Sequence, residues 1–310
     1  MYPEELFFPI WEAAPASDRA YANENQRQAG AHQTQEGKRD DMKYCVATNL
    51  AVSPTTPVPL GGDPCRMLKK AGEMGYHAIE IHVPDVSVLD IPAIRRAMEE
   101  TGVSVSTLGT GTIYGKYGLH LCDENEENQE RLYGMVCRFI DCAAALSSRV
   151  TIGSIKGNIL PGQDREAHLD ILARALKRID DYAAKKGVTM LLEATNRYEN
   201  NVMNTAAELA QFIRANGLAH TRALLDAFHM NIEEADSLQA LEAAKDVLGH
   251  IHFADNNRHY PGGGCFAFGP FADKIREIGY DGVLSVECLP LPDGDTAAQK
   301  AAAFLHAAFD

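Results

Sequence analysis

From Met42 onward the chain alternates two hydrophobic patterns: short apolar runs of strand length, then longer stretches whose apolar positions recur at helical spacing. The predicted strands cover 43–49, 77–83, 103–108, 149–155, 188–193, 221–226, 250–254 and 283–287. The predicted helices lie near 63–74, 91–100, 123–146, 164–185, from 205 onward, 236–247, 270–278 and 295–308. Two helix starts are written plainly. Asp63-Pro64 sets a capping carboxylate before a proline at the first helical position. Thr205-Ala-Ala-Glu208 is a capping box. Eight strand–helix units in about 265 residues have the count and length of a (β/α)8 barrel. The alternative is a doubly wound open sheet. It would need fewer strands and a GxGxxG fingerprint after the first one, which is absent.

Residues 1–41 break this alternation. Phe7, Phe8, Ile10 and Trp11 form a small apolar cluster, and the stretch to Asp41 is polar without clear periodicity. We expect an N-terminal extension over 1–41 and a catalytic barrel domain over 42–310. The extension is either a plain upstream segment or an arm that packs on a neighbouring subunit through Phe7, Phe8 and Trp11.

The bulk numbers narrow the function. A chain of 310 residues, 45% hydrophobic, can bury a large core. A net charge of −14 repels nucleic acid and anionic membranes. Seven cysteines, an odd number without a CxxC pair, read as reduced thiols of a cytoplasmic protein. No apolar run reaches transmembrane length, and no basic n-region precedes an apolar core at the start.

Four consecutive apolar runs carry chemistry at their ends. Val188–Leu192 runs into Glu193, with Asn196, Arg197 and Glu199 behind it. Taken alone, this is a strand leaving the core into a polar loop, with Glu193 paired to Arg197. The design then repeats. Arg222–Leu225 runs into Asp226 with His229 beyond; Ile251 is followed by His252, Asp255 and Arg258; Val283–Val286 runs into Glu287. In a barrel of this kind the active site sits at the C-terminal ends of the strands, so Glu193, Asp226, His252 and Glu287 would converge at one mouth. Three carboxylates and an imidazole so close would repel and protonate unless a cation joined them. Three oxygens and one nitrogen suit Mn²⁺, Mg²⁺, Co²⁺ or Zn²⁺.

The motifs E-x2-N-R-x-E at 193–199, D-x2-H-x-N at 226–231, H-x2-D-x2-R at 252–258 followed by PGGG, and YDGVLSVE at 280–287 resemble the sugar isomerase/epimerase family. This is the xylose isomerase-like barrel superfamily, and the likeness is greatest to the ketose 3-epimerases. The motifs span roughly residues 188–290. The resemblance implies that Glu193, Asp226, His252 and Glu287 are metal ligands and that Glu193 and Glu287 are also the acid/base pair. It implies that Glu199, His229 and Arg258 hold the substrate's O1–O3 end. The expected cofactor is a divalent metal ion, Mn²⁺ ahead of Mg²⁺, Co²⁺ or Zn²⁺. The expected partners are a small sugar substrate and further copies of the chain in a dimer or tetramer, with no nucleic acid and no membrane.

The chemistry gives that set a reason. Inverting the carbon beside a ketone removes a proton from one face and returns one to the other, so two tuned carboxylates serve. A divalent Lewis acid on the ketone oxygen stabilises the enediolate. The expected function is therefore a metal-dependent epimerase acting at C3 of a ketose or keto-sugar acid. The alternatives on the same barrel are an aldose–ketose isomerase of the hydroxypyruvate isomerase kind, a sugar-phosphate epimerase, and an inosose-type dehydratase. An endonuclease-IV-like nuclease would need more histidine ligands and a basic DNA face, and a barrel that only binds would not need an intact set of seven.

Other residues carry paired readings. In HAIEIHV, Glu80 and His82 alternate with Ile79, Ile81 and Val83 and so point into the barrel, either to bond substrate or as a satisfied inner pair. Tyr114, Tyr117 and His120 lie on a long loop, as a lid or as surface aromatics. Lys156 touches substrate or, as the commoner case, is solvated. Asp255 orients a metal ligand or caps a turn. The acidic stretch 123–128 reads as the first turn of a helix, and Glu233 and Glu234 as solvated charges.

Overall fold

The structure, a computed structural model, describes residues 42–310. The expected N-terminal extension, with Phe7, Phe8 and Trp11, lies outside the described residues. Eight strands form the barrel: β1 (Lys43–Asn49), β2 (Ala78–His82), β3 (Ser104–Gly109), β4 (Arg149–Ile152), β5 (Met190–Glu193), β6 (Thr221–Asp226), β7 (Leu248–Phe253) and β8 (Val283–Val286). Each pairs in parallel with the next, and β8 pairs back onto β1, with Lys43 opposite Val283, so the barrel closes. A two-residue strand, Leu60–Gly61, flanks the end of β1.

Around the barrel run α1 (Pro64–Glu73), α2 (Ile91–Thr101), α3 (Gly111–Tyr117), α4 (Glu126–Leu146), α5 (Arg165–Lys186), α6 (Ala206–Ala215), α7 (Ala227–Glu233), α8 (Ser237–Ala244), α9 (Phe268–Glu277) and α10 (Gly294–Phe309). The expected helix starts are present. Asp63 accepts the Arg66 N–H ahead of Pro64, and Thr205 with Glu208 forms the full capping box. Asn125 caps α4, with Glu126 and Glu127 in its first turn, where carboxylates favour the helix dipole.

Period-two alternation sorts the strand side chains. On β2, Ile79 and Ile81 are buried against the helices, while Glu80 and His82 face the barrel interior. On β7, Ile251 and Phe253 face outward; Phe253 stacks on Phe268 of α9 at 5.5 Å, and His250 and His252 face inward. The outer core is apolar and the upper interior polar, as a barrel with chemistry at its mouth requires.

Three local departures bear on the site. β4 stops at Ile152, because Gly153 turns the chain into a 3₁₀ turn over Ser154–Lys156. The loop after β3 contains α3, and the loop after β6 contains α7, which Asp226 itself caps by accepting the Phe228 N–H at 2.8 Å. Both helices have seven residues, too short for helical spacing to stand out in the sequence.

Candidate active site

The C-terminal ends of the strands surround a cavity of 220 Å³. Every strand or its following loop contributes, from Pro57 after β1 to Glu287 after β8. The volume lies below the ~300–1,000 Å³ of drug-sized sites, so it suits a small substrate.

The residues expected to carry the chemistry meet here. Glu193, Asp226, His252 and Glu287 each bring one ligand atom within 4.8 Å of the others, and they could hold a metal ion. His252 Nδ1 stands 3.6 Å from Glu193 Oε1, 3.9 Å from Asp226 Oδ2 and 3.4 Å from Glu287 Oε2. His252 Nδ1 and Glu193 Oε1 are both buried and have no hydrogen-bond partner among the described residues. An imidazole nitrogen and a carboxylate oxygen, both buried, converging and without hydrogen-bond partners, fit a shared cation.

Arg258 closes one side. Its guanidinium donates to Asp226 Oδ2 and to Glu287 Oε2 and lies over the Phe228 ring at 4.7 Å. Its backbone takes a positive φ of 62°, in a turn held by its N–H to the Asp255 carbonyl at 2.8 Å. That left-handed conformation costs an L-residue about 1–2 kcal/mol, and here it aims a buried cation at two carboxylates. Burial pushes the Glu287 carboxyl up, but His252 and Arg258 outweigh it and hold Glu287 well below the usual range. For His252, burial disfavours the charged ring, and the Glu80 and Glu287 carboxylates reverse that, holding it above an ordinary imidazole.

His229 is oriented by Asn196. The Asn196 side-chain oxygen accepts the Tyr198 N–H at 2.9 Å, so its amide nitrogen is the donor, to His229 Nδ1 at 2.7 Å and to Glu199 Oε1 at 2.9 Å. The His229 proton therefore sits on Nε2, which faces Glu193 Oε1 at 3.7 Å. Burial, reinforced by Arg258, holds the ring neutral. Glu199, His229 and Arg258 all line the cavity, whereas Asp226 is fully buried behind it.

The structure decides between several paired readings and corrects others. Lys156 is not solvated: it is fully buried, and its ammonium donates to the Glu193 carbonyl and, at 3.3 Å, to Thr195 Oγ1. Arg197 pairs with Glu233 and not Glu193, so Glu233 is a half-buried partner, and Glu234 accepts the Ala206 N–H at 2.7 Å. Tyr114, Tyr117 and His120 do not line the cavity; Tyr114 and His120 border a separate recess with Asn158 and Gln163. Asp255 caps its turn, accepting the N–H groups of Gly262 and Phe266, both at 2.9 Å. Of the inward pair on β2, His82 reaches the cavity and Glu80 lies wholly beneath it. Thr112, Thr151, Ser154 and Thr195 line the wall without having been anticipated, since single hydroxyls carry no spacing signal. His250 was also missed; the H-I-H alternation of β7, mirroring E-I-H on β2, was the signal available.

Two expected results follow from this geometry. A Cβ on Gly153 would stand 2.5 Å from Glu193 Oε2. Gly153→Ala is expected to push that carboxylate aside and lower turnover about 10²-fold, as a misplacement of about 1 Å does, with little change in thermal melting. Unchanged turnover would show that the position of Glu193 is not limiting. Lys156 gives a pH effect. Burial pushes its ammonium down to about 8 from the ordinary 10.5. Between those values the unfolded chain holds more protons, so stability at this site rises with pH there. Urea unfolding of the wild type relative to Lys156→Met should show a gain of roughly 3 kcal/mol across that window. A flat difference would mean that the ammonium titrates normally.

The chain matches the xylose isomerase-like TIM barrel family over residues 68–308 and belongs to it. It is 39% identical over 229 residues to L-ribulose 3-epimerase of Mesorhizobium japonicum, covering 72% of this chain and 74% of that protein. It is 30% identical over 223 residues to 3-dehydro-D-guloside 4-epimerase of Escherichia coli, covering 69% and 83%. Among solved structures, apo 3-keto-D-glucoside 4-epimerase from E. coli superposes with a TM-score of 0.75 at 26% identity, covering 86% of this chain and all of that one. The chain is an isomerase-class enzyme. Among the described residues no helix is long and apolar enough to cross a membrane.

Proposed function

We propose that the chain, through its 42–310 domain, is a divalent-metal-dependent sugar epimerase that inverts the carbon beside a ketone, C3 of a ketose or keto-sugar acid. The observation that carries this reading is the pair of buried atoms without hydrogen-bond partners among the described residues, Glu193 Oε1 and His252 Nδ1, converging with Asp226 and Glu287. These four residues would hold the ion, with Mn²⁺ suited to three oxygens and one nitrogen. When bound there, it would supply Lewis-acid polarisation of a ketone oxygen.

The chain's own groups do the rest. Glu193 and Glu287, delivered from β5 and β8, exchange the proton at the inverted carbon, one taking it and the other returning one. His229 offers its Nε2–H, and Arg258 its guanidinium, to oxygen that gains charge as the proton leaves. Glu199, held by Asn196, accepts from a hydroxyl at the near end of the sugar. The similarity to E. coli 4-epimerase, in sequence and in structure, supports a second reading, inversion of C4 beside a C3 ketone. The same residues serve both, because each acts on a carbon next to a carbonyl.

Proton NMR of the Mn²⁺-loaded protein in D₂O, with ketohexoses, keto-sugar acids and 3-keto-glycosides, tests this. Deuterium at C3 with a new epimer supports the first reading, and deuterium at C4 the second. Deuterium at C1 with an aldose would instead make it an aldose–ketose isomerase, and loss of water a dehydratase.

A further inference from the structure

Beneath the cavity one carboxylate gathers three imidazoles. Glu80, fully buried on β2, receives His250 Nε2 at 2.6 Å and His252 Nε2 at 3.2 Å on Oε1, and His82 Nε2 at 3.3 Å on Oε2. His250 and His252 reach it from β7, three strands from β2 around the closed barrel. Glu80, His250 and His252 lie close enough to suggest a second ion site. The distances argue otherwise. Ligand bonds of about 2.0–2.2 Å set ligand atoms about 3 Å or more apart, whereas 2.6 Å between His250 and Glu80 leaves room only for a proton. Three imidazole Nε2 atoms converge on its two oxygens, so the carboxylate is the acceptor in each contact.

Resting on the metal-dependent reading above, we infer that Glu80 is a positioning residue for His252: by accepting the Nε2–H, it fixes the ring's tautomer, turns a bare Nδ1 toward Glu193, Asp226 and Glu287, and thereby sets how tightly the site holds a divalent ion. The ring has two nitrogens and two destinations. With the proton pinned on Nε2, the Nδ1 lone pair is committed to the cavity side. Partners that orient metal-bound imidazoles in this way commonly control affinity 10–100-fold. His82 and His250 complete the cradle by satisfying the remaining lone pairs of Glu80, which holds the carboxylate still.

Glu80→Gln is the test, because the amide keeps the volume but offers an N–H where an acceptor stood. That N–H would draw the His252 proton over to Nδ1. Calorimetric titration with Mn²⁺ alone should show Kd raised about 10–100-fold in the variant. ¹⁵N–¹H imidazole spectra of the metal-free proteins, taken at a pH above the His252 titration, should show the neutral ring protonated on Nε2 in the wild type, and on Nδ1 in a share of the variant. Tight wild-type binding unchanged in a folded Glu80→Gln protein overturns the inference and leaves the metal reading standing. Absence of Mn²⁺ binding by the wild type overturns the functional reading, and with it the affinity claim. If the variant does not fold, the wild-type spectrum decides alone: a neutral His252 ring protonated on Nδ1 and not on Nε2 overturns the inference.

Discussion

Glu193→Gln and Glu287→Gln are each expected to abolish epimerisation, and to abolish exchange of the α-proton with solvent from the epimer whose proton that carboxylate takes. The substitution keeps side-chain size and removes the basic oxygen. Loss of a positioned general acid or base costs about 10²–10⁴-fold on its own. Each residue is also expected to hold the ion, so Mn²⁺ binding must be measured beside proton exchange. A variant that still loads metal and no longer exchanges has lost only its base. Proton exchange from both epimers in both variants would falsify the assignment. The two carboxyls need not be equal in this role, since His252 and Arg258 hold Glu287 well below the usual range.

The second large effect is on stability. Arg258 is the buried cation beside Asp226 and Glu287, with its side chain 10% exposed and that of Asp226 fully buried. Arg258→Ala leaves two buried carboxylates without the guanidinium that bridges them. Breaking a buried pair from one side costs about 3–5 kcal/mol. The metal-free variant should therefore melt well below the wild type. Excess Mn²⁺ should restore part of the loss, because a ligand that binds only the folded state adds stability by mass action. A metal-free Arg258→Ala protein melting with the wild type would show that the two carboxylates tolerate each other. Equal destabilisation with and without Mn²⁺ would separate Arg258 from the cation site.

The seven residues that converge at the mouth were legible because two simple rules act on them. Alternation of apolar and polar positions places strand ends, and a closed parallel barrel brings those ends to one side. Glu193, Asp226, His252 and Glu287 sit at or within one residue of their strand ends, so an error of a residue or two in a boundary does not move them from the mouth. Lys156 shows where the reasoning fails. Lysine is solvated in most settings, and nothing in IGSIKG says that β4 will stop at Ile152 and fold the side chain under Glu193. Arg197 was drawn to the wrong partner for a similar reason. Its nearest carboxylates in the chain are Glu193 and Glu199, yet α7, too short to predict, brings Glu233 to it instead.

The sequence by itself therefore determined the eight repeating units, the mouth at which the chemistry gathers, and the residue types that meet there. Those depend on periodicities of two and 3.6 residues and on a chain direction shared by every strand. Only the tertiary structure decided which atoms face which. Glu80 and His250 are 170 residues apart in the chain and become a 2.6 Å pair because closure sets β2 and β7 across one interior. The register shifts at Ile79/Glu80 and Ala223/Leu224 help set the depth at which their side chains point. Register and bulges arise from the packing of the whole barrel, and no spacing within a single strand encodes them.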